Sequence, residues 1–173
     1  MVNPKLAVAL TGRSGEALEE YKKLMLKLNN EVVAAAPEYL LINTHVCRGN
    51  YHSTFFSSGA YDSVADLLFG EENVNAYYLE YDDERSGGFA PLAKVSGDKK
   101  VVLGLVTTKT PALENKELVI NRIHEAAKYV SLDRLYLSPQ CGFASCEIGN
   151  KLTEEEQWAK LKLVKEIAEE VWG

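Results

Sequence analysis

Short apolar runs alternate with amphipathic segments along the chain, and this alternation constrains the fold more than any other feature. The runs span 39–43, 76–80, 101–106 and 135–137. Each is short and rich in bulky apolar side chains, as in a strand that is covered on both faces. Strands that alternate with helices favour a parallel sheet, so the predicted fold class is α/β.

The intervening segments carry helical spacing of apolar residues. Helices are predicted over 15–36, 61–69 and 115–129, with Pro37 and Gly70 closing the first two. Thr153 and Glu156 form a capping box that opens the last helix. The stripe expected to be buried on that helix consists of Trp158, Leu161, Val164, Ala168 and Val171.

Chain length separates two architectures for such a sheet. A complete eight-unit barrel takes about 250 residues, whereas this chain has 173. It therefore has room for about four strand-helix units after a leading helix. We expect one domain over residues 1–173, either a small open sheet or half of a barrel.

Charge and cysteine content exclude several classes of function. The formal net charge is −6, so we expect neither a nucleic acid nor an anionic membrane as a partner. The apolar stretches are shorter than the roughly 20 residues that span a bilayer, and the start of the chain does not resemble a secretory signal. An odd number of cysteines, three, argues for reduced thiols, and we expect a cytoplasmic protein.

Potential metal ligands gather at the ends of the predicted strands. His45 and Cys47 follow the first run, Glu80 ends the second, and Cys141 follows the fourth. In parallel α/β folds this edge carries the active site, because the strand-to-helix loops converge there. Two thiolates, an imidazole and a carboxylate suit tetrahedral zinc. The alternative is that the cysteines are small buried residues and His45 caps a strand.

Four separated motifs resemble the zinc-site half of cobalamin-independent methionine synthase. They are 44–47 (THVC), 78–80 (YLE), 85–86 (RS) and 138–142 (SPQCG). Longer stretches, 45–62, 79–89 and 137–145, resemble the shorter bacterial paralogues of that enzyme, and the resemblance covers about residues 15–172. It implies the C-terminal half of a TIM barrel, with zinc ligands at His45, Cys47, Glu80 and Cys141.

The same resemblance implies a zinc-dependent methyltransferase that transfers the methyl group of methyltetrahydrofolate to the homocysteine thiol, making methionine. Zinc would present the acceptor sulfur as a thiolate, and we expect Glu80 to give up its place to that sulfur. The candidates for substrate contact are His52, Arg85, Ser86 and Thr107.

The chain also departs from the family pattern. Four residues separate Glu80 from Arg85 instead of two, so Asp82 is the alternative carboxylate ligand. Gln140 stands where the family has an acidic residue. The half of the barrel that grips the homocysteine amino group has no counterpart here, so we expect self-association through exposed sheet edges or a fragment of a longer protein. A non-catalytic zinc-binding remnant is the alternative function.

Overall fold

The computed structural model describes residues 3–173, and its sheet has four parallel strands. These are β1 (Asn43–Val46), β2 (Ala76–Glu80), β3 (Lys100–Val106) and β4 (Leu135–Pro139). They lie side by side in sequence order, with β1 and β4 at the two edges. His45 pairs with Tyr78, and Glu80 pairs with Gly104. The predicted α/β class and parallel sheet are confirmed.

Five α-helices accompany the strands within the described residues. They are α1 (Pro4–Thr11), α2 (Gly15–Ala34), α3 (Ala65–Glu71), α4 (Lys116–Ala126) and α5 (Glu154–Trp172). The sequence pattern did not predict α1, which begins at Pro4 after Asn3 caps the Leu6 amide at 3.0 Å. The capping box of Thr153 and Glu156 is present as predicted. Among residues 3–173, no helix has the length and apolar content to cross a bilayer.

The first apolar run is not the first strand, and that prediction was wrong. β1 begins at Asn43, where the predicted strand ends. The preceding side chains lie in solvent, with Tyr39 83% and Leu41 78% exposed. An apolar run marks a buried strand only when neighbouring elements cover it. In the described structure Ile42 packs against the core, whereas Tyr39 and Leu41 are largely uncovered. The shift places His45 inside β1 and Cys47 directly after it.

Two helices also differ from their predicted patterns. α3 continues through Gly70 to Glu71, so this glycine does not end it. On α5 the most buried side chains are Lys160, Leu163 and Ile167, whereas Trp158 is 58% exposed. The Lys160 ammonium group donates to the Ala112 carbonyl at 2.7 Å and contacts both Glu114 oxygens at 3.1 Å. That pairing allows a lysine to occupy the buried face.

The two faces of the sheet are covered unequally. Alternate strand residues, such as Tyr77, Leu79 and Leu103, pack against the helices in one continuous core. The opposite face carries Tyr78 and Tyr136, each 41% exposed. This second face is the one that points inward when such a sheet closes into a barrel, so its side chains line an open concave surface.

Candidate metal centre

His45, Cys47 and Cys141 meet at the carboxyl end of the sheet. The Cys47 and Cys141 sulfurs are 2.8 Å apart, and the His45 Nε2 atom is 3.2 Å from the Cys141 sulfur. β1 and β4 are the outer strands of four, which in a flat sheet would lie about 14 Å apart at the usual strand spacing. Sheet curvature and the loops beyond the strands therefore bring the three side chains together.

The backbone after β4 turns sharply to place Cys141. The backbone amide of Gln140 still donates to the Val106 carbonyl at 2.8 Å. Cys141 then adopts φ 51°, and Gly142 follows with φ 80°. A cysteine in the left-handed region is strained, and residues held in this way cluster at functional sites. The conformation supports a specific role for the Cys141 thiol.

The two thiols differ in acidity because they share a hydrogen bond. The bond from Cys141 lowers the pKa of Cys47 to about 4, with further help from His45 and the Gly49 amide against the cost of burial. The same bond, followed by burial, raises the pKa of Cys141. The pair therefore holds one proton at neutral pH, with Cys47 as the thiolate. Thiolates are the form of cysteine that binds metals.

The donor atoms of these three residues all lie within 4.8 Å of one another. Two sulfurs and one imidazole nitrogen are the soft and borderline donors that zinc prefers. Both His45 and Cys47 are exposed, so a metal ion and a fourth ligand can approach from the concave surface.

Glu80 falls outside this group of three and takes part in a buried charge network. Its Oε2 accepts the Arg48 amide proton at 2.6 Å. Its Oε1 lies 3.1 Å from Arg85 Nη2 and 3.8 Å from Lys109 Nζ. Burial raises the pKa of Glu80, against the Arg48 amide and Lys109, which lower it. Arg85 and Lys109 thus hold the Glu80 carboxylate in place by ion pairing.

Asp82, the alternative carboxylate, belongs to the same network. It lies 3.1 Å from Lys109 Nζ and 3.4 Å from Arg85 Nη2. Among the described residues, its carboxylate does not join the group of donor atoms formed by His45, Cys47 and Cys141. Glu80 lines the cavity beside Cys141, whereas Asp82 does not, so Glu80 remains our predicted fourth ligand.

A cavity of about 370 Å³ opens on the concave surface beside the thiols. Its lining combines strand residues with the turn after β4: His45, Tyr78, Leu79, Glu80, Gly104, Ser138, Pro139, Gln140, Cys141 and Gly142. A second cavity of about 240 Å³ lies between α2 and α3, on the other side of the sheet, with mostly apolar walls and Glu72. Of these two cavities, the first adjoins the candidate metal ligands.

The four predicted substrate contacts do not line this first cavity. His52 Nδ1 lies 3.1 Å from the Gly149 carbonyl, and the Ser86 side chain is fully buried. The Thr107 amide donates to Glu114 at 2.8 Å, and Arg85 pairs with carboxylates, 2.6 Å from Asp83. Their roles in substrate binding stay predictions.

Two buried polar residues lie at the site: sequence reasoning did not single out Arg48, and it noted Gln140 only as a departure from the acidic residue of the family. Arg48 is 1% exposed, and its guanidinium lies 4.4 Å from the centroid of the Tyr61 ring. Gln140 is also 1% exposed, and its side-chain amide donates to the Cys141 sulfur. Each adjoins a predicted ligand in sequence, and that adjacency was the available signal for both.

Comparison with known families gives a match over residues 20–170 to the family described as cobalamin-independent synthase, catalytic domain. The chain is 53% identical over 159 residues to an uncharacterized protein, YxjG, of Bacillus subtilis (strain 168), covering 91% of this chain and 42% of that protein. The chain thus spans about two fifths of that relative. A methionine synthase of Pyrococcus horikoshii is 29% identical over 101 residues, 58% of this chain and 26% of that enzyme.

A solved structure, that of the putative vitamin-B12 independent methionine synthase from Listeria monocytogenes, superposes with a TM-score of 0.69 at 38% identity. The match covers 94% of this chain and 43% of that one. The four parallel strands and their helices therefore correspond to part of a larger TIM-barrel protein.

Proposed function

Because this chain belongs to the cobalamin-independent methionine synthase family, we propose that it is the metal-binding half of a zinc-dependent methyltransferase. The proposed acceptor is the thiol of homocysteine, and the proposed methyl donor is methyltetrahydrofolate. We further propose that residues 1–173 form one catalytic-type unit, equivalent to the C-terminal half of the barrel. Reduced thiols at the site fit a cytoplasmic location.

The observation that carries this proposal is that one imidazole nitrogen and two cysteine sulfurs all lie within 4.8 Å of one another. His45, Cys47 and Cys141 would hold zinc, with Glu80 as the proposed fourth ligand. Bound zinc supplies Lewis acidity that keeps an acceptor thiol deprotonated at neutral pH. The donor set fits that ion, because sulfur and imidazole ligands dominate known zinc sites.

The residues of the chain then act by holding charge and shaping the cavity. Cys47 contributes a negative charge without a proton to release, because its pKa is lowered to about 4. Glu80 would be the ligand that yields to a substrate sulfur, because Arg85 and Lys109 already pair with its carboxylate and would balance its charge. Tyr78 forms a wall of the cavity beside His45.

A second candidate function is a zinc-binding remnant without turnover. It is favoured by the open concave surface, where Tyr78 and Tyr136 are each 41% exposed. A methyl-transfer site excludes water from the reacting atoms, and this surface is not closed by the described residues. A remnant would keep the metal and lose the reaction.

We also propose that the chain either self-associates or needs the remainder of a longer protein as its partner. The parallel sheet ends in two edge strands, β1 and β4, and exposed edges favour pairing. Apolar side chains near β1, including Leu41 at 78% exposure, add to this surface. Sedimentation velocity of the purified chain tests self-association, and a well-folded monomer would contradict it.

The test of function compares the chain with two cysteine variants. We expect one zinc ion per chain and methyl transfer from methyltetrahydrofolate to homocysteine, both lost in Cys141→Ser. Cys146→Ser is the matched control, because it changes the same atom type five residues away in a thiol outside the 4.8 Å group. Zinc without turnover favours the remnant, and a chain that binds no zinc contradicts both candidates.

A further inference from the structure

Gln140 connects the sulfur cluster to the buried charge network through a single side chain. Its Nε2 donates to the Cys141 sulfur and lies 3.9 Å from the Cys47 sulfur. Its Oε1 accepts from Lys109 Nζ at 2.7 Å. One amide thus contacts both thiols on one side and an ammonium group on the other.

Lys109 fixes which end of this amide faces the sulfurs. An ammonium group can only donate hydrogen bonds, so it must face the amide oxygen. Lys109 is itself held by Asp82, 3.1 Å from its Nζ atom, and its side chain is 8% exposed. The amide N–H groups therefore point toward the sulfurs in a set orientation.

The backbone and the neighbouring strand hold Gln140 in position as well. The Thr108 hydroxyl donates to the Gln140 carbonyl at 2.8 Å. Gly104 lies beneath it, and a Cβ atom there would come within 3.3 Å of Gln140 Cα. The side chain is 1% exposed. The surrounding protein groups therefore hold Gln140 in place.

We propose that Gln140 is a positioning residue that limits how much negative charge the two cysteine sulfurs donate to a bound metal ion. The inference rests on the proposed function, since it requires a metal at the three-residue cluster. N–H groups that donate to a ligand sulfur withdraw electron density from it. A neutral amide does this without adding another anion beside two thiolates and Glu80. The metal then stays a stronger Lewis acid toward an incoming thiol.

The test uses Co²⁺ as a spectroscopic probe in the purified chain. Gln140→Met removes the N–H donors at similar size, and we expect the sulfur-to-cobalt charge-transfer band to move to longer wavelength. We also expect the affinity for Co²⁺ to change by about 10- to 100-fold, as with other residues that contact metal ligands. Gln157→Met is the matched control on α5, and it should match the wild type.

Two further variants keep the inference falsifiable. Lys109→Met leaves Gln140 in place but frees its amide, and we expect a smaller shift of the band in the same direction. If Gln140→Met does not fold by circular dichroism, Gln140→Leu removes the same donors without adding a charge. A band at the wild-type position in the folded Gln140 variant overturns the inference alone. A wild-type chain that shows no sulfur-to-cobalt band overturns the proposed function and the inference with it.

Discussion

The thiol cluster and the network around Glu80 lie at the same end of the sheet and are built in opposite ways. His45 and Cys47 are exposed, and their mutual contacts are few. Glu80 is fully buried and surrounded by Arg48, Arg85 and Lys109. The side chains that would bind a ligand are thus accessible to solvent, whereas Glu80 is buried and paired with cationic side chains. The comparison indicates that paired buried charges stabilise this end of the sheet, whereas the proposed metal ligands His45 and Cys47 are left accessible.

The largest effect on stability is expected from Glu80→Gln, which tests whether the charge network around Glu80 stabilises the fold. The substitution keeps the side-chain shape and leaves the buried Arg48 and the partly buried Arg85 and Lys109 short of one negative charge. Breaking a buried ion pair typically costs about 3–5 kcal/mol when the remaining charge has no partner. Because Asp82 still pairs with Arg85 and Lys109, we expect the free energy of unfolding in urea to fall by about 3 kcal/mol, the lower end of that range. Glu84→Gln, an exposed position in the following turn, should stay within about 0.5 kcal/mol of the wild type. Equal losses of unfolding free energy in the two variants would show that the buried Glu80 stabilises the fold no more than an exposed carboxylate does.

An intermediate effect is expected at Gly104, which lies between the two regions. An added Cβ would lie 2.8 Å from the Leu79 carbonyl oxygen, a backbone atom that cannot move aside freely. We expect Gly104→Ala to lower the free energy of unfolding by about 1–3 kcal/mol, as overpacking does.

Gly70→Ala is the matched control for that substitution. Gly70 lies within α3, and among the described residues nothing stands within 4 Å of the position that a Cβ atom would take there. Alanine favours a helix interior, so this variant should be more stable than the wild type by about 0.5–1 kcal/mol. Urea unfolding of both variants measures the two signs, and a stabilising Gly104→Ala would show that the floor of the site is loosely packed.

The smallest chemical change that tests the comparison is the protonation of Cys47 in the metal-free chain. Its pKa is lowered from 9.0 to about 4 on folding. This favours the folded state fully above pH 9, and the contribution is lost as the pH falls toward 4. The raised pKa of Cys141 opposes it at high pH. The two contributions oppose each other only above pH 9, and both arise from one shared hydrogen bond, so reactivity is the better measurement of the Cys47 thiolate.

Alkylation by iodoacetamide should reveal the Cys47 thiolate directly. In the folded metal-free chain we expect its rate at Cys47 to be nearly flat between about pH 5.5 and 8, and in urea to rise about tenfold per pH unit. Peptide mass spectrometry measures both rates. In Cys141→Ala the plateau should begin at higher pH, because the hydrogen bond from Cys141 does most to lower the pKa of Cys47. A tenfold rise per unit in the folded chain would contradict the assignment.

Local sequence patterns were sufficient to predict which end of the sheet the candidate ligands share. Glu80 ends its strand and Cys141 follows β4, as the apolar runs at 76–80 and 135–137 indicated. Those runs lie within β2 and β4, where neighbouring strands pair with them and the helices cover one face. The run at 39–43 failed because its burial depends on contacts with distant parts of a fold, which a local pattern does not contain.

The surroundings of the candidate ligands could not be predicted for a similar reason. Arg48 follows Cys47 in a loop and reads as solvated surface, yet it is buried against Tyr61 and Glu80. The orientation of the Gln140 amide depends on Lys109, 31 positions away in the sequence. Such pairings follow from the curvature of the sheet, and composition or periodicity does not encode them.

The meeting of Cys47 with Cys141 also has a topological consequence. The two residues are 94 positions apart, and β2, β3, α3 and α4 all lie within the stretch that separates them. Any link between the two sulfurs would close this stretch into a ring and remove many conformations from the unfolded chain. For a covalent link around a ring of about 100 residues the gain is about 4.7 kcal/mol in the chain-entropy treatment. A metal ion bound by both sulfurs would thus link the loops that follow the two edge strands of the sheet. The stability of the whole fold would then rise with the occupancy of one small site.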